Sequence, residues 1–304
     1  MADMSNSIQR AEFGPVTVFF GDKGGKYPDG NQVVVRGSDS RAVFDSPLVS
    51  NLIGPEYDEA DLSILGHVHE DHMVGLHRIP RAQVHVHERD VEAARSWEGL
   101  ARHYGYSEAV LATMRVKIAK EFSYAPRPDA IAYRDGAVWD LGGVRVRAIH
   151  MPGHTSGHCV LLVEPHGIAF IGDIDLSSFG PYYGDATSSL AEFRATLRRV
   201  VDVPAKVWIT SHHKGVYTDR TAFLDALAAF GARVGDREQR VLDLLAEQPR
   251  SLAELVACRV VYRPEATDGW VEDVEAHSIR QHLAELVAAG RVAQRDDGRY
   301  RIAA

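Results

Sequence analysis

An α/β sandwich followed by a small helical unit is the fold class this sequence predicts, on three observations. Short apolar runs of strand character recur along most of the chain and alternate with stretches of helical periodicity, the pattern of sheets covered by helices. The polar clusters fall just past the ends of the strand-like runs, at what becomes a sheet edge. Near residue 235 the character changes to three short helical patterns and a hairpin.

The strand signals begin with VTVFFG (16–21), NQVVVRG (31–37) and RAVFDS (41–46), parted by turn-rich segments such as GDKGGKYPDG. DLSILGH (61–67) is a further strand with a short helix, DHMVGLHRI, behind it, and QVHVH (83–87) is another strand. Residues 89–122 read as an inserted helical segment. The paired strands AVWDLGGVRVRAIHM, CVLLVEPHGIAFIGD and KVWITS come next, with a helix at SLAEFRATLRRVV (189–201). The C-terminal stretch runs REQRVLDLLAEQ, SLAELVAC and HSIRQHLAELVAAG, then RVAQRDDGRYRIA, two strands joined by an Asp-Asp-Gly turn. Helix, helix, helix, hairpin is the plan of a winged helix, and it divides the chain into 1–234 and 235–304.

Composition narrows the function classes. A chain of 304 residues holds one large domain with one small one. The formal net charge of −8 argues against nucleic acid or an anionic membrane as the main partner. No run approaches the roughly 20 apolar residues of a membrane span. The opening MADMSNSIQRAEFG has no apolar h-region, and Cys159 and Cys258, about 100 positions apart, make no disulfide framework. The expected compartment is the cytoplasm. Fifteen histidines are many, and they are bunched.

The densest bunch is SILGHVHEDHMVGL (63–76), where an apolar strand runs into three histidines and two carboxylates. Residues two apart share a strand face, so His67 and His69 can hold one ion together as the chain leaves the sheet. Asp71 and His72 are displaced and face a neighbouring position. Three later strand ends add His154 in the turn of AIHMPGHTSGH, Asp173 at the end of IAFIGD, and His212 and His213 at the end of VWITSHHKG. Imidazole and carboxylate suit zinc, and they also accept iron or manganese. His85 and His87 in QVHVHERD lack an acidic-plus-His continuation and read as structural. His77, His103 and His166 receive no role, and neither do His150 and His158. Glu70, at the variable position of the motif, is expected to face solvent.

These residues resemble the metallo-β-lactamase superfamily. Its H-x-H-x-D-H signature reads His67-Val68-His69-Glu70-Asp71-His72, its G-H-T turn Gly153-His154-Thr155, and its G-D step Gly172-Asp173. The resemblance covers roughly residues 14–232 and implies an αββα four-layer sandwich with the site at one edge. It assigns His67, His69 and His154 to one metal, Asp71, His72 and His212 to a second, and Asp173 to the bridge between them. His212 is preferred to His213 because it follows WITS where the family has a P-G-H step. Glyoxalase II enzymes resemble this chain in the metal motif, but they carry Thr before it and Gly-Gly after it. Here those places hold Gly66 and Met73-Val74-Gly75.

The resemblance implies two divalent ions, zinc first. Two cations about 3.5–4 Å apart share a water and lower its pKa from about 15.7 towards neutrality, giving a metal-bridged hydroxide. Asp71 both ligates and orients that nucleophile, as the one catalytic carboxylate. The expected reaction is hydrolysis of an ester, thioester or lactone of a small organic substrate. The alternatives are an endoribonuclease-type nucleic-acid hydrolase, a mononuclear-iron persulfide dioxygenase, and a sensor with a structural metal. Aromatic residues flank the motif on both sides: Trp97, Tyr104, Tyr106 and Phe122 in the insertion, and Phe179, Tyr182 and Tyr183 in DLSSFGPYYGDATSS (175–189). The last three are the expected substrate contacts. Residues 236–304 carry ten Lys/Arg against thirteen Asp/Glu, without the basic face of a nucleic-acid module. That unit is expected to pack or to form a homodimer, and Trp270 in VYRPEATDGWVEDV (261–274) is the candidate lid residue.

Overall fold

The structure, a computed structural model, describes residues 8–303; the first seven positions, where a leader would begin, lie outside it. One sheet holds seven strands in sequence order, β1 (Arg10–Phe13), β2 (Val16–Phe19), β3 (Gln32–Arg36), β4 (Arg41–Phe44), β5 (Leu62–Ile64), β6 (Gln83–His87) and β7 (Ile131–Tyr133). The first four pair antiparallel, and β4 through β7 pair parallel. The second sheet is built from β8 (Val138–Asp140), β9 (Arg145–His150), β10 (Cys159–Glu164), β11 (Ile168–Phe170), β12 (Val207–Ile209) and β13 (Val216–Tyr217). Its order is β13-β12-β11-β10-β9-β8, antiparallel except where β11 meets β12.

Alternation of side chains along the strands sets the layers. Val33 and Val35 of β3 pack with Cys159, Leu161 and Val163 of β10 in the core between the sheets, where the rings of Phe44 and Phe170 stand 5.8 Å apart. The intervening Val34 faces the other way, into the layer formed by α1 (Val91–Arg95), α2 (Trp97–Tyr104) and α3 (Glu108–Glu121). Val160 and Leu162 of β10 likewise turn outward, against α4 (Leu190–Arg199) and the first half of α5 (Arg220–Glu247). Strands buried on both faces read as continuous apolar runs, as CVLLV does. The result is the expected mixed α/β fold with two large sheets between helices.

Two local signals shape the insertion. The Ser96 hydroxyl accepts from the Gly99 amide at 3.0 Å and starts α2, and Gly105 ends it with a left-handed φ of 66°. Behind β5 the expected short helix is two 3₁₀ turns, Glu70–His72 and Val74–Arg78.

Residue 235 lies inside α5, which is a single helix. Phe223, Leu227, Phe230 and Val234 pack it onto the second sheet, and Val241, Leu242, Leu244 and Leu245 join a separate C-terminal core. That core also takes in α6 (Leu252–Ala257), α7 (Val271–Ala288) and the hairpin β14 (Val292–Gln294) to β15 (Tyr300–Ile302). The change of character near 235 therefore marks a change of packing partner rather than a linker. No helix of the described residues is long and apolar enough to cross a membrane.

Candidate metal centre and its pocket

Every candidate ligand follows a strand end on one edge of the sandwich. His67 and His69 leave β5, His154 follows β9, Asp173 follows β11 and His212 follows β12. His154 Nε2 stands 3.1 Å from His69 Nδ1 and 3.4 Å from Asp173 Oδ2, and His67 Nε2 is 3.9 Å from the same oxygen. On the other side of Asp173, His72 Nε2 is 3.4 Å from its Oδ1 and 3.6 Å from Asp71 Oδ1. His212 Nε2 lies 3.1 Å from Asp71 Oδ2 and 3.6 Å from Asp173 Oδ2. The seven residues thus form two adjoining groups with Asp173 between them. His213 stands apart, with a left-handed φ of 55° and its Nε2 3.9 Å from Asp175.

The hydrogen bonds on the far side of each ring decide what these groups fit. A carbonyl oxygen only accepts, so a ring nitrogen facing one must donate. His154 Nδ1 donates to Tyr182 O at 3.0 Å, and His212 Nδ1 donates to Gly25 O and Asp29 O at 2.9 and 2.8 Å. His69 Nε2 meets Asp185 Oδ2 at 2.7 Å, and His72 Nδ1 meets Asp45 Oδ2 at 2.8 Å. In each neutral ring the inward nitrogen is then a bare lone pair. Those lone pairs point at one another and at the oxygens of Asp71 and Asp173. Both nitrogens of His67, His72 Nε2 and Asp173 Oδ1 are buried without a hydrogen-bond partner. Lone pairs converging on lone pairs repel unless a cation sits among them. The donor set therefore fits divalent metal ions, with outer oxygens orienting the ligand rings.

The carboxylates favour positive charge here, whether carried by a proton on a ring or by a cation among the rings. Burial opposes charge on His72, yet Asp71, Asp173 and Asp45 outweigh it and raise its pKa well above that of an ordinary imidazole. Burial likewise opposes charge on His212, but Asp173 and Asp71 push it up to about 10. His154 goes the other way: burial, with Asp173 opposing, takes it down to about 3. This pocket of carboxylates draws positive charge to some of its rings and denies it to others.

Several supporting residues carry no signal in the sequence. Asp45 and Asp185 are single carboxylates in loops, and nothing in VFDS or YGDATS marks them. His158, given no role above, donates from Nδ1 to Met151 O and accepts the Asp173 amide at Nε2, 3.2 Å away. His103 is buried beside His69 and Asp185. Glu70 corrects its expectation: only 8% exposed, it accepts from Tyr27 Oη at 2.9 Å and Tyr104 Oη at 2.5 Å. Two phenols inside the cavity hold it where solvent was expected. Tyr183 is a second correction. It is 1% exposed, its hydroxyl meets His282 Nε2 at 2.8 Å, and it does not line the cavity. Tyr182 and Phe179 do line it.

The cavity is about 430 Å³, within the range of small-molecule sites. His69, Asp71, His154, Asp173 and His212 form its floor, and Tyr104, Tyr106, Met114, Ile118 and Phe122 of the insertion form one side. Tyr262 and Trp270 from the C-terminal part complete it.

Fold and site together define an α/β protein built to hold divalent metal at the floor of a small-molecule cavity. Residues 62–212 match the family model described as "Metallo-beta-lactamase superfamily", and the chain carries a domain of that superfamily. An acyl-coenzyme A thioesterase of Bos taurus is 28% identical over 201 residues, covering 58% of this chain and 70% of that protein. A hydroxyacylglutathione hydrolase of Methylococcus capsulatus is 30% identical over 144 residues, 45% of this chain and 54% of its own length. A metallo-beta-lactamase family protein of Thermus thermophilus has a crystal structure that matches with a TM-score of 0.65 at 24% identity. That match spans 90% of this chain and 93% of the other. The family and these relatives support a hydrolase.

Proposed function

We propose that the chain hydrolyses the thioester or ester bond of a small organic molecule, using two divalent cations, zinc first among them. The observation that carries this reading is the set of bare histidine nitrogens facing Asp71 and Asp173 at the floor of a largely apolar cavity. Bound there, the cations would supply an acidified water and a Lewis-acid contact for the carbonyl oxygen. The chain's own residues do the rest. Asp173 faces both groups of rings, and Asp71 lies beside His72 and His212 at the cavity floor, where it can orient an incoming nucleophile. Asp185, Asp45 and the carbonyls of Tyr182, Gly25 and Asp29 fix the rings. The aromatic walls exclude water from the scissile bond. The acyl-coenzyme A thioesterase and the hydroxyacylglutathione hydrolase among the relatives support the choice of bond.

The test is direct. Metal analysis of the purified chain is expected to return close to two ions. A panel of thioesters with a chromogenic thiol is expected to show turnover that His69→Ala reduces to background. Turnover unaffected by that substitution, or cleavage of labelled single-stranded RNA in place of the thioesters, overturns the reading.

A further inference from the structure

We infer that residues 259–273 are the specificity wall of this site, and that Trp270 and Tyr262 select the substrate by the length of its apolar acyl group. The inference rests on the hydrolase reading above and names the part of the substrate that the far side of the cavity recognises. Met114, Ile118 and Phe122 recur every four residues, so they line one face of α3 and the turn that ends it. Trp270 and Tyr262 pack against the same apolar cluster and line the same cavity. An apolar slot therefore leads away from the metal ligands, between the insertion and the C-terminal part. Besides the candidate ligands, its charged lining residues are Lys26 and Asp268, both exposed, Lys117, whose Nζ stands over the Trp270 ring, and Glu70 and Asp175 in the loops that carry those ligands.

This wall is built rather than loose. The Glu275 carboxylate, fully buried, accepts from the backbone amides of Val260, Val261 and Tyr262 at 2.7–3.2 Å. Asp273 accepts from both the amide and the hydroxyl of Ser107 at 3.0 Å, joining the segment to the insertion. Lys117 Nζ stands 4.3 Å over the Trp270 ring, and the Tyr262 ring lies 5.4 Å from that of Phe179. The family match ends at residue 212, so both selecting side chains lie outside it. A relative's acyl preference does not carry over to this chain.

The chemistry of such a slot is simple. Each methylene of an acyl chain that it takes from water favours the bound state by about fourfold, until the chain meets the wall. The test compares kcat/KM of the full-length, metal-loaded protein on acetyl through octanoyl thioesters of one chromogenic thiol. Wild type is expected to gain about fourfold per methylene up to the slot's limit. Trp270→Ala is expected to lose tenfold or more on the octanoyl thioester and less than twofold on the acetyl one, with Trp270→Phe restoring most of the loss. Equal losses on both substrates overturn the inference.

A binding arm separates it from the hydrolase reading. Calorimetric titration with octanoate and acetate needs no turnover. Weaker octanoate binding by Trp270→Ala and Tyr262→Ala, in a protein that turns over no thioester, retires the hydrolase and keeps the wall. Octanoate binding that is equal in wild type and both variants, each with an unchanged melting temperature, overturns the wall.

Discussion

His69 is held from behind. Its Nε2 meets Asp185, and that carboxylate also accepts from the hydroxyls of Tyr106 and Tyr182 at 2.5 and 3.0 Å. Burial opposes charge on this ring, but Asp185 overcomes it and takes the imidazole up to about 9. Asp185→Asn keeps the shape and removes the charge that orients His69. Retention of the bound metal in a chelator competition is expected to weaken by about 10- to 100-fold, as for other residues that orient metal-bound histidines from behind. Near-UV circular dichroism should stay the same, and unchanged retention refutes the role. His212 and His213 invite a paired test, because only His212 points into the cage. His212→Ala is expected to bring metal content from two ions towards one, while His213→Ala leaves it alone. The sequence order H-x-H-x-D-H, G-H-T, G-D makes six of the seven inward residues legible, and His212 follows from its place after WITS. Asp45, Asp185 and His158 act on the ligands from isolated positions, and only folding brings them there. Glu70 escapes the pattern because spacing says nothing about which phenols will cover a side chain.

The ligand-bearing loops depend on the elements around them, and the turn Gly153–Gly157 shows how. Asp90, just past β6 and 1% exposed, accepts from Thr155 Oγ1 at 2.5 Å, from Ser156 Oγ at 3.1 Å and from the Gly157 amide at 2.7 Å. One carboxylate thereby fixes the turn that carries His154. Asp90→Ala leaves the buried Thr155 hydroxyl and Gly157 amide without partners and is expected to cost about 3 kcal/mol of stability. Denaturant unfolding measures that loss, and a change under about 0.5 kcal/mol would assign the turn's rigidity elsewhere. Legibility at this scale follows burial. β3 and β10 stand out as continuous apolar runs buried on both faces, β6 by its alternation and α4 by its 3.6-residue period. β1, β7 and β13 give no signal, for they are short edge strands with partly exposed faces. α5 misleads for the opposite reason: its apolar positions serve two cores in succession, so the pattern shifts inside one unbroken helix.

Across the whole molecule, the C-terminal part is fastened to the sandwich by side chains whose charge state matters. The clearest is His282 of α7, fully buried, with Nε2 against Tyr183 Oη. Gln281 beside it donates to Tyr183 O at 2.9 Å and accepts from the Leu190 amide at 2.6 Å, and His277 donates to Gly184 O at 2.8 Å. Burial lowers the His282 pKa to about 3, and the nearby Arg194 and Arg237 push the same way. The neutral ring is therefore the folded form. In the unfolded chain the same ring takes a proton near pH 6.5, so below that pH the unfolded state binds more protons and stability falls with acidity. The slope approaches about 1.4 kcal/mol per pH unit for this residue, or about 2 kcal/mol between pH 6.5 and 5. Other buried histidines with lowered pKa values, His87 and His158 among them, contribute in the same direction, so wild type alone cannot isolate this contribution. His282→Gln removes the titrating group and keeps a hydrogen-bonding side chain beside Tyr183. Its stability at pH 7 is expected to drop, and its further loss on going to pH 5 to be smaller than that of wild type by about 2 kcal/mol. Parallel acid limbs for the two proteins would mean that this contact opens before the fold does, and that the C-terminal part separates from the sandwich as a unit.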